Sequence, residues 1–121
     1  MERTITIGGQ EVGFRASGLT VKLYRRDTGR DFMRDLARLD KRLKDTASDP
    51  EAQLEAIDLE AFEDIAYLMA RQYAHAHQEA IAATADEWLD GFEMFEIYRV
   101  LPEILKLWAD STRTTSVPKK A

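Results

Sequence analysis

The sequence predicts a mainly α (α+β) fold: an N-terminal two-stranded β-hairpin, a four- to five-helix bundle after it, and a disordered C-terminal tail. Three observations predict this. Alternation of polar and apolar residues with period two is found at residues 3–15, on either side of Gly8-Gly9. Apolar residues at three- and four-residue spacing fill most of the chain beyond that alternation. Residues 111–121, STRTTSVPKKA, are polar and carry no apolar period. A chain of 121 residues fits one domain, expected at 1–110 with a flexible tail at 111–121, and it can bury a core without a metal or disulfide.

The hairpin is expected from Arg3–Ile7 and Gln10–Arg15, because glycine tolerates the positive φ of a tight two-residue turn. In that register Ile5 faces Val12, with Ile7 and Phe14 on the same side. A lone hairpin is marginal in water, so this side must lie on helices or be extended by another chain's strand. Gly13 marks a bulge or a close approach. Thr20 is the expected cap of the first helix, with Leu19 and Tyr24 as a hydrophobic staple and a helix from Val21 to about Asp27. Gly29 interrupts, after which Phe32, Leu36, Leu39 and Leu43 recur at helical spacing beside Met33. Asp45 to Ile57 reads as a linker with a helical turn at Glu51–Ala56. Asp58 then caps a second stapled start, Ile57 against Phe62, and the helix from Leu59 to about His77 carries Phe62, Ile65, Ala66, Met69, Ala70 and Tyr73 on one face. Thr84-Ala85-Asp86-Glu87 matches a capping box for a short helix that carries Trp88 and Leu89 and ends near Asp90-Gly91.

The stretch from Glu87 to Trp108 holds both tryptophans and is expected to organise the rest. Read as one helix from Met94 to Ala109, bent at Pro102 where the amide to the Tyr98 carbonyl is missing, it places Met94, Ile97, Tyr98, Leu101, Ile104, Leu105 and Trp108 on one side. Val100 and Leu107 widen that side beyond what one neighbour covers. Two readings stay open: these residues complete the core, or Phe95, Tyr98, Val100, Leu101, Leu107 and Trp108 form a protein-binding face. Each buried tryptophan contributes on the order of 4–6 kcal/mol as an upper bound, so Trp88 and Trp108 are the expected anchors.

Cysteine is absent, which excludes disulfides, thiolate zinc sites and cysteine nucleophiles. Neither a basic-then-apolar leader nor a run of roughly 18 apolar residues occurs, so a cytoplasmic protein is expected, with no membrane partner. The net charge of −5 conceals a segregation: residues 22–44 hold nine Lys/Arg against four Asp/Glu, and residues 45–110 hold three against sixteen. Such blocks attract within a molecule or between copies, which favours protein partners and a possible homo-oligomer. His75 and His77 diverge by about 200° on a helix and cannot share a metal. The clusters Glu60/Glu63/Asp64 and Asp86/Glu87/Asp90 read as solvated faces. Arg30, Arg34, Arg38 and Arg42 form a ladder, but Asp31, Asp35 and Asp40 interrupt it, so no nucleic-acid partner is expected. No catalytic constellation, cofactor or metal is expected either.

Five segments taken together, TITIGGQEVGFRAS, LYRRDTGRDFMRDLARL, LEAFEDIAYLMARQ, EWLDGFEMFEIYRVLPEILKLW and TTSVPKK, resemble the tail assembly chaperones of siphovirus-type (long-tailed) phages and of prophages in Gram-positive bacteria. The similarity runs through nearly the whole chain in one order, and is least at Thr46–Ala56 and His75–Ala83. What the resemblance implies is a non-enzymatic factor of the host cytoplasm, absent from the mature virion. It would bind and solubilise the tape measure protein and aid recruitment of tail tube subunits. It also implies a longer form made by programmed frameshifting, for which Lys119-Lys120 could supply a slippery run. The competing expectation is a bacterial helical adaptor or regulatory domain with no phage role.

Overall fold

In a computed structural model, which describes residues 1–45, 59–93, 96–100 and 102–107, Gly8 and Gly9 turn the chain at φ 57° and 82°. They join β1 (Glu2–Ile7) to β2 (Gln10–Arg15) in an antiparallel pair whose register sets Ile5 opposite Val12, as the alternation requires. Ile5, Ile7 and Phe14 are buried, and the open end is closed by Ala16 N donating to the Met1 carbonyl at 2.9 Å.

Helix α1 spans Gly18–Thr28 and starts three residues earlier than Thr20 predicts. Ser17 is the cap: its Oγ accepts from Leu19 N at 3.3 Å, and Thr20 Oγ1 accepts from Ser17 N at 2.9 Å. The Thr20 hydroxyl is thereby free to donate to Gln72 Oε1 at 2.7 Å, a buried bond across the fold. Leu19 is 50% exposed and does not staple Tyr24, which is buried. Gly29, at φ 74°, ends the helix and donates to the Arg25 carbonyl. Helix α2 (Phe32–Asp45) buries Phe32, Leu36 and Leu39 and leaves Met33 exposed; the Leu43 side chain lies outside the described residues.

Helix α3 (Leu59–Ala76) is the centre of the molecule. The predicted face is buried at Phe62, Ile65, Ala66, Met69 and Ala70, but so are Ala61, Tyr67, Leu68, Gln72 and Ala74, so the helix is covered on most sides. The hairpin strand β2, α1 and the short α4 (Ala85–Leu89) all pack on it. The close approach anticipated at Gly13 is real: a Cβ there would stand 2.2 Å from the Tyr73 ring. Gln78, in the left-handed region at φ 56°, lets Glu79 N reach the Ala74 carbonyl at 2.8 Å and closes the helix.

Thr84 caps α4 through Glu87 N at 3.1 Å. It delivers Trp88 into a ring cluster with Phe14, Tyr67 and Phe92, at centroid separations of 6.3, 5.7 and 5.0 Å. Where one continuous helix over Met94–Ala109 is expected, the described residues show a 3₁₀ turn, Ile97–Val100, and then an α-helix, α5, described at 102–107. Pro102 stands in its first turn, where a missing N–H is no loss. The expected turn at Glu51–Ala56, the Asp58 cap with its Ile57 staple, the Trp108 anchor and the tail at 111–121 lie outside the described residues. Among those described, no helix is long and apolar enough to cross a membrane.

Candidate interaction surface

The sequence offered a face made of Phe95, Tyr98, Val100, Leu101, Leu107 and Trp108. Of these, Phe95, Leu101 and Trp108 lie outside the described residues. Val100 and Leu107 are buried against this chain's own core, together with Ile97, Ile104 and Leu105. They therefore offer no surface to a partner. The over-wide side arose from projecting two elements onto one helical wheel; with Pro102 between them, Val100 and Leu107 no longer share an axis. Tyr98 is half-buried, packs on Phe62 at 5.8 Å, and donates its hydroxyl to Glu63 Oε2 at 2.5 Å. That hydrogen bond, with burial behind it, pushes the phenol up to about 12.

Arg30 also has a different role from the one its spacing suggested. It is not the first rung of a ladder but the hub that joins α1, α2 and α3. Its Nη2 donates to Asp64 Oδ2 at 2.7 Å and its Nη1 to Glu60 Oε1 at 3.2 Å, while its guanidinium lies 5.5 Å from the centre of the Tyr24 ring. Nε is buried without a hydrogen-bond partner, 3.5 Å from Asp35 Oδ2, an oxygen that accepts from the Tyr24 hydroxyl at 2.7 Å. Burial pushes Asp64 above the usual aspartate range, against the pull of Arg30 and with a push from Glu60. Burial and Asp35 likewise raise Tyr24. The Glu60/Glu63/Asp64 cluster is thus only partly a solvated face, because Glu63 and Asp64 are half-buried and paired. Asp86, Glu87 and Asp90 are exposed as expected.

A cleft of about 670 Å³ opens beside this hub, with Asp27, Arg71 and Thr84 also on its wall. One carboxylate there serves two arginines: Asp27 accepts from Arg71 Nη2 at 2.7 Å and from Arg26 Nε at 3.1 Å. Arg34, Arg38 and Arg42 remain exposed along α2, interleaved with ion pairs of Lys41 to Asp45 and Lys44 to Asp40, each at 3.0 Å. His75 is exposed. His77 stacks on Tyr73 at 4.1 Å and meets Glu2 Oε1 at 2.9 Å, tying the end of α3 to β1. Among the described residues no group of His, Asp and Glu could hold a metal.

What spacing missed are pairings across the sequence: Thr20 with Gln72, Arg30 with Asp64, Tyr98 with Glu63. One signal was available for the role of α3. Ala61, Ala66, Ala70 and Ala74 are small residues that admit close neighbours on several sides of the helix. Set against known proteins, the chain matches no family model, no curated protein and no solved structure.

Proposed function

We propose that this protein is a tail assembly chaperone of siphovirus-type phages or prophages: a non-enzymatic factor that binds the tape measure protein, keeps it soluble and aids recruitment of tail tube subunits. The observation that carries the reading is the ordered run of five segments from TITIGGQEVGFRAS to TTSVPKK. Physical chemistry is consistent with it. A tape measure protein exposes apolar helix faces that aggregate unless covered reversibly, and the basic α1–α2 region beside an acidic remainder suits protein contacts that respond to salt. The partner face now excludes Val100 and Leu107 and keeps Tyr98 only at its edge.

Co-expression tests the proposal. The tape measure protein encoded beside this chain is expected to move from the insoluble to the soluble fraction when the chain is present and to co-purify with it. A tape measure protein that stays dispersed without the chain overturns the reading. So does a gene neighbourhood with no tail tube or tape measure genes, which would leave a bacterial adaptor domain as the better account.

A further inference from the structure

The outer faces of α1 and α3 meet along a groove of about 480 Å³. Leu19, Leu23 and Ala76 form an apolar strip along it. A lone exposed leucine is ordinary on a protein surface. Here, however, Leu19 stands half exposed one helical turn from Leu23, so the strip is continuous. The clefts beside Arg30 and beside Asp90 are lined mainly by polar atoms, whereas this one is lined mainly by carbon. A trough between two packed helices is the shape a third helix fills.

Charge indicates what covers it. Arg15, Arg26, Arg71 and His75 edge the groove, and no Asp or Glu lines it among the described residues. The carboxylates paired with these arginines are each shared between two side chains. Asp27 is shared by Arg26 and Arg71, and Glu2 by Arg15 at 2.7 Å and His77. Arg26 remains 63% exposed. A chain with a net charge of −5 therefore presents this carbon-lined trough inside a rim that carries arginines. The chain's own tail is a poor occupant, since residues 111–121 carry Arg113, Lys119 and Lys120 and no Asp or Glu.

We infer that the α1–α3 groove is a docking site for an amphipathic helix of a partner protein, whose leucine-type residues at i, i+4 and i+7 fill the strip and whose flanking carboxylates meet Arg15, Arg26 and Arg71. The inference goes beyond the proposed function, because it holds for any protein that supplies such a helix. An anionic lipid surface is the other way to cover a basic-edged strip. Leu19 and Leu23 make a single turn, though, whereas a helix lying in a membrane interface buries an apolar face several turns long.

The test is fluorescence anisotropy of the full chain with two labelled helical peptides that share one leucine stripe, one flanked by glutamates and the other by lysines. The glutamate peptide is expected to bind about tenfold more tightly than the lysine peptide, since three exposed pairs act together, and to weaken as salt rises from about 50 to about 500 mM. Leu19→Asp, placed in the first turn of α1 where an acid is favourable, is expected to reduce binding by about tenfold or more, and Arg26→Gln by about threefold. Thermal melts of both variants check the fold, and Leu19→Ser replaces Leu19→Asp if the latter melts early. Equal affinity for the two peptides, binding of neither, or affinity untouched by Leu19→Asp overturns the inference. Co-sedimentation with phosphatidylserine vesicles that depends on Leu19, in a protein that binds neither peptide, overturns it in favour of a membrane.

Discussion

Helix α3 and the stretch from Ile97 to residue 107 both carry strong apolar spacing, yet one is an unbroken helix of 18 residues and the other changes from a 3₁₀ turn to an α-helix within its described residues. The contrast has a local cause. Between Leu59 and Ala76 there is neither proline nor glycine, and alanines on several sides let a strand and two helices approach, so one axis persists and nearly every side is buried. In the second stretch Pro102 cannot donate to Tyr98. Ile97 and Val100 are then buried by the 3₁₀ turn, and Ile104, Leu105 and Leu107 by α5. The width of an apolar face is meaningful only along an unbroken axis. On a wheel that ignores the break, two narrow buried faces look like one face too wide for the core.

The strongest way to break this comparison is to ask whether α5 belongs to the core as fully as α3 does. Leu107 and Met69 are both fully buried. Truncation of either to alanine is expected to lower stability by about 3 kcal/mol, and Leu107→Glu by about 4 kcal/mol or more, read by urea unfolding. A Leu107→Glu protein that keeps its native melting temperature would place α5 outside the core and return Leu107 to a partner-facing role.

The contact between β2 and α3 is the next largest. Gly13→Ala is expected to destabilise by about 2 kcal/mol, because the added methyl meets the Tyr73 ring, which must leave its stack on His77. In a Tyr73→Ala background the same substitution should lose most of that effect. An undiminished loss there would trace the damage to the strand and not to the ring.

Legibility followed the same division between local and distant causes. The hairpin, its register, the stop at Gly29, the helix from Leu59 and the Thr84 cap were all readable, because turn chemistry and periodicity decide them within a few residues. The start of α1 was not. Ser17 and Thr20 are both able to cap, and the choice is bound up with Gln72, to which the Thr20 hydroxyl donates. Arg30 looked like part of a ladder because its partners Glu60 and Asp64 lie about thirty residues away and on another helix. The candidate site fared worst. Tyr98 is drawn inward by Glu63, Val100 and Leu107 are consumed by the core, and the open groove lies on α1 and α3, where no single helix carries a face wide enough to announce it.

Replacing the proline sharpens the comparison further, with a smaller effect. Because Ile97 and Val100 are buried and Tyr98 is bonded to Glu63, packing as well as Pro102 holds the 3₁₀ turn apart from α5. Pro102→Ala is therefore expected to lower stability by about 0.5–1 kcal/mol, through the freer unfolded chain, with no gain in helical circular dichroism. Greater helicity together with greater stability would show that the proline alone divides the segment.

The smallest effect asks whether charge, beside carbon, holds α3 to α1. Hydrogen bonding to Arg71 holds Asp27 below its ordinary 3.8, against burial and with help from Arg26. A carboxyl whose folded pKa lies below its unfolded one adds stability above the unfolded value and loses it as pH falls through the folded value. Both side chains are 34% exposed, so solvent screens the pair to about 0.5 kcal/mol. Arg71→Gln should thus differ from the parent by about that much at neutral pH, and the difference should vanish as acid protonates Asp27. The low-lying Glu2 and the raised Asp64 titrate in both proteins and cancel in the comparison. A difference that survives in acid would instead assign Arg71 to its place over the Tyr67 ring, 5.7 Å from the centroid, a contact that does not depend on any carboxylate.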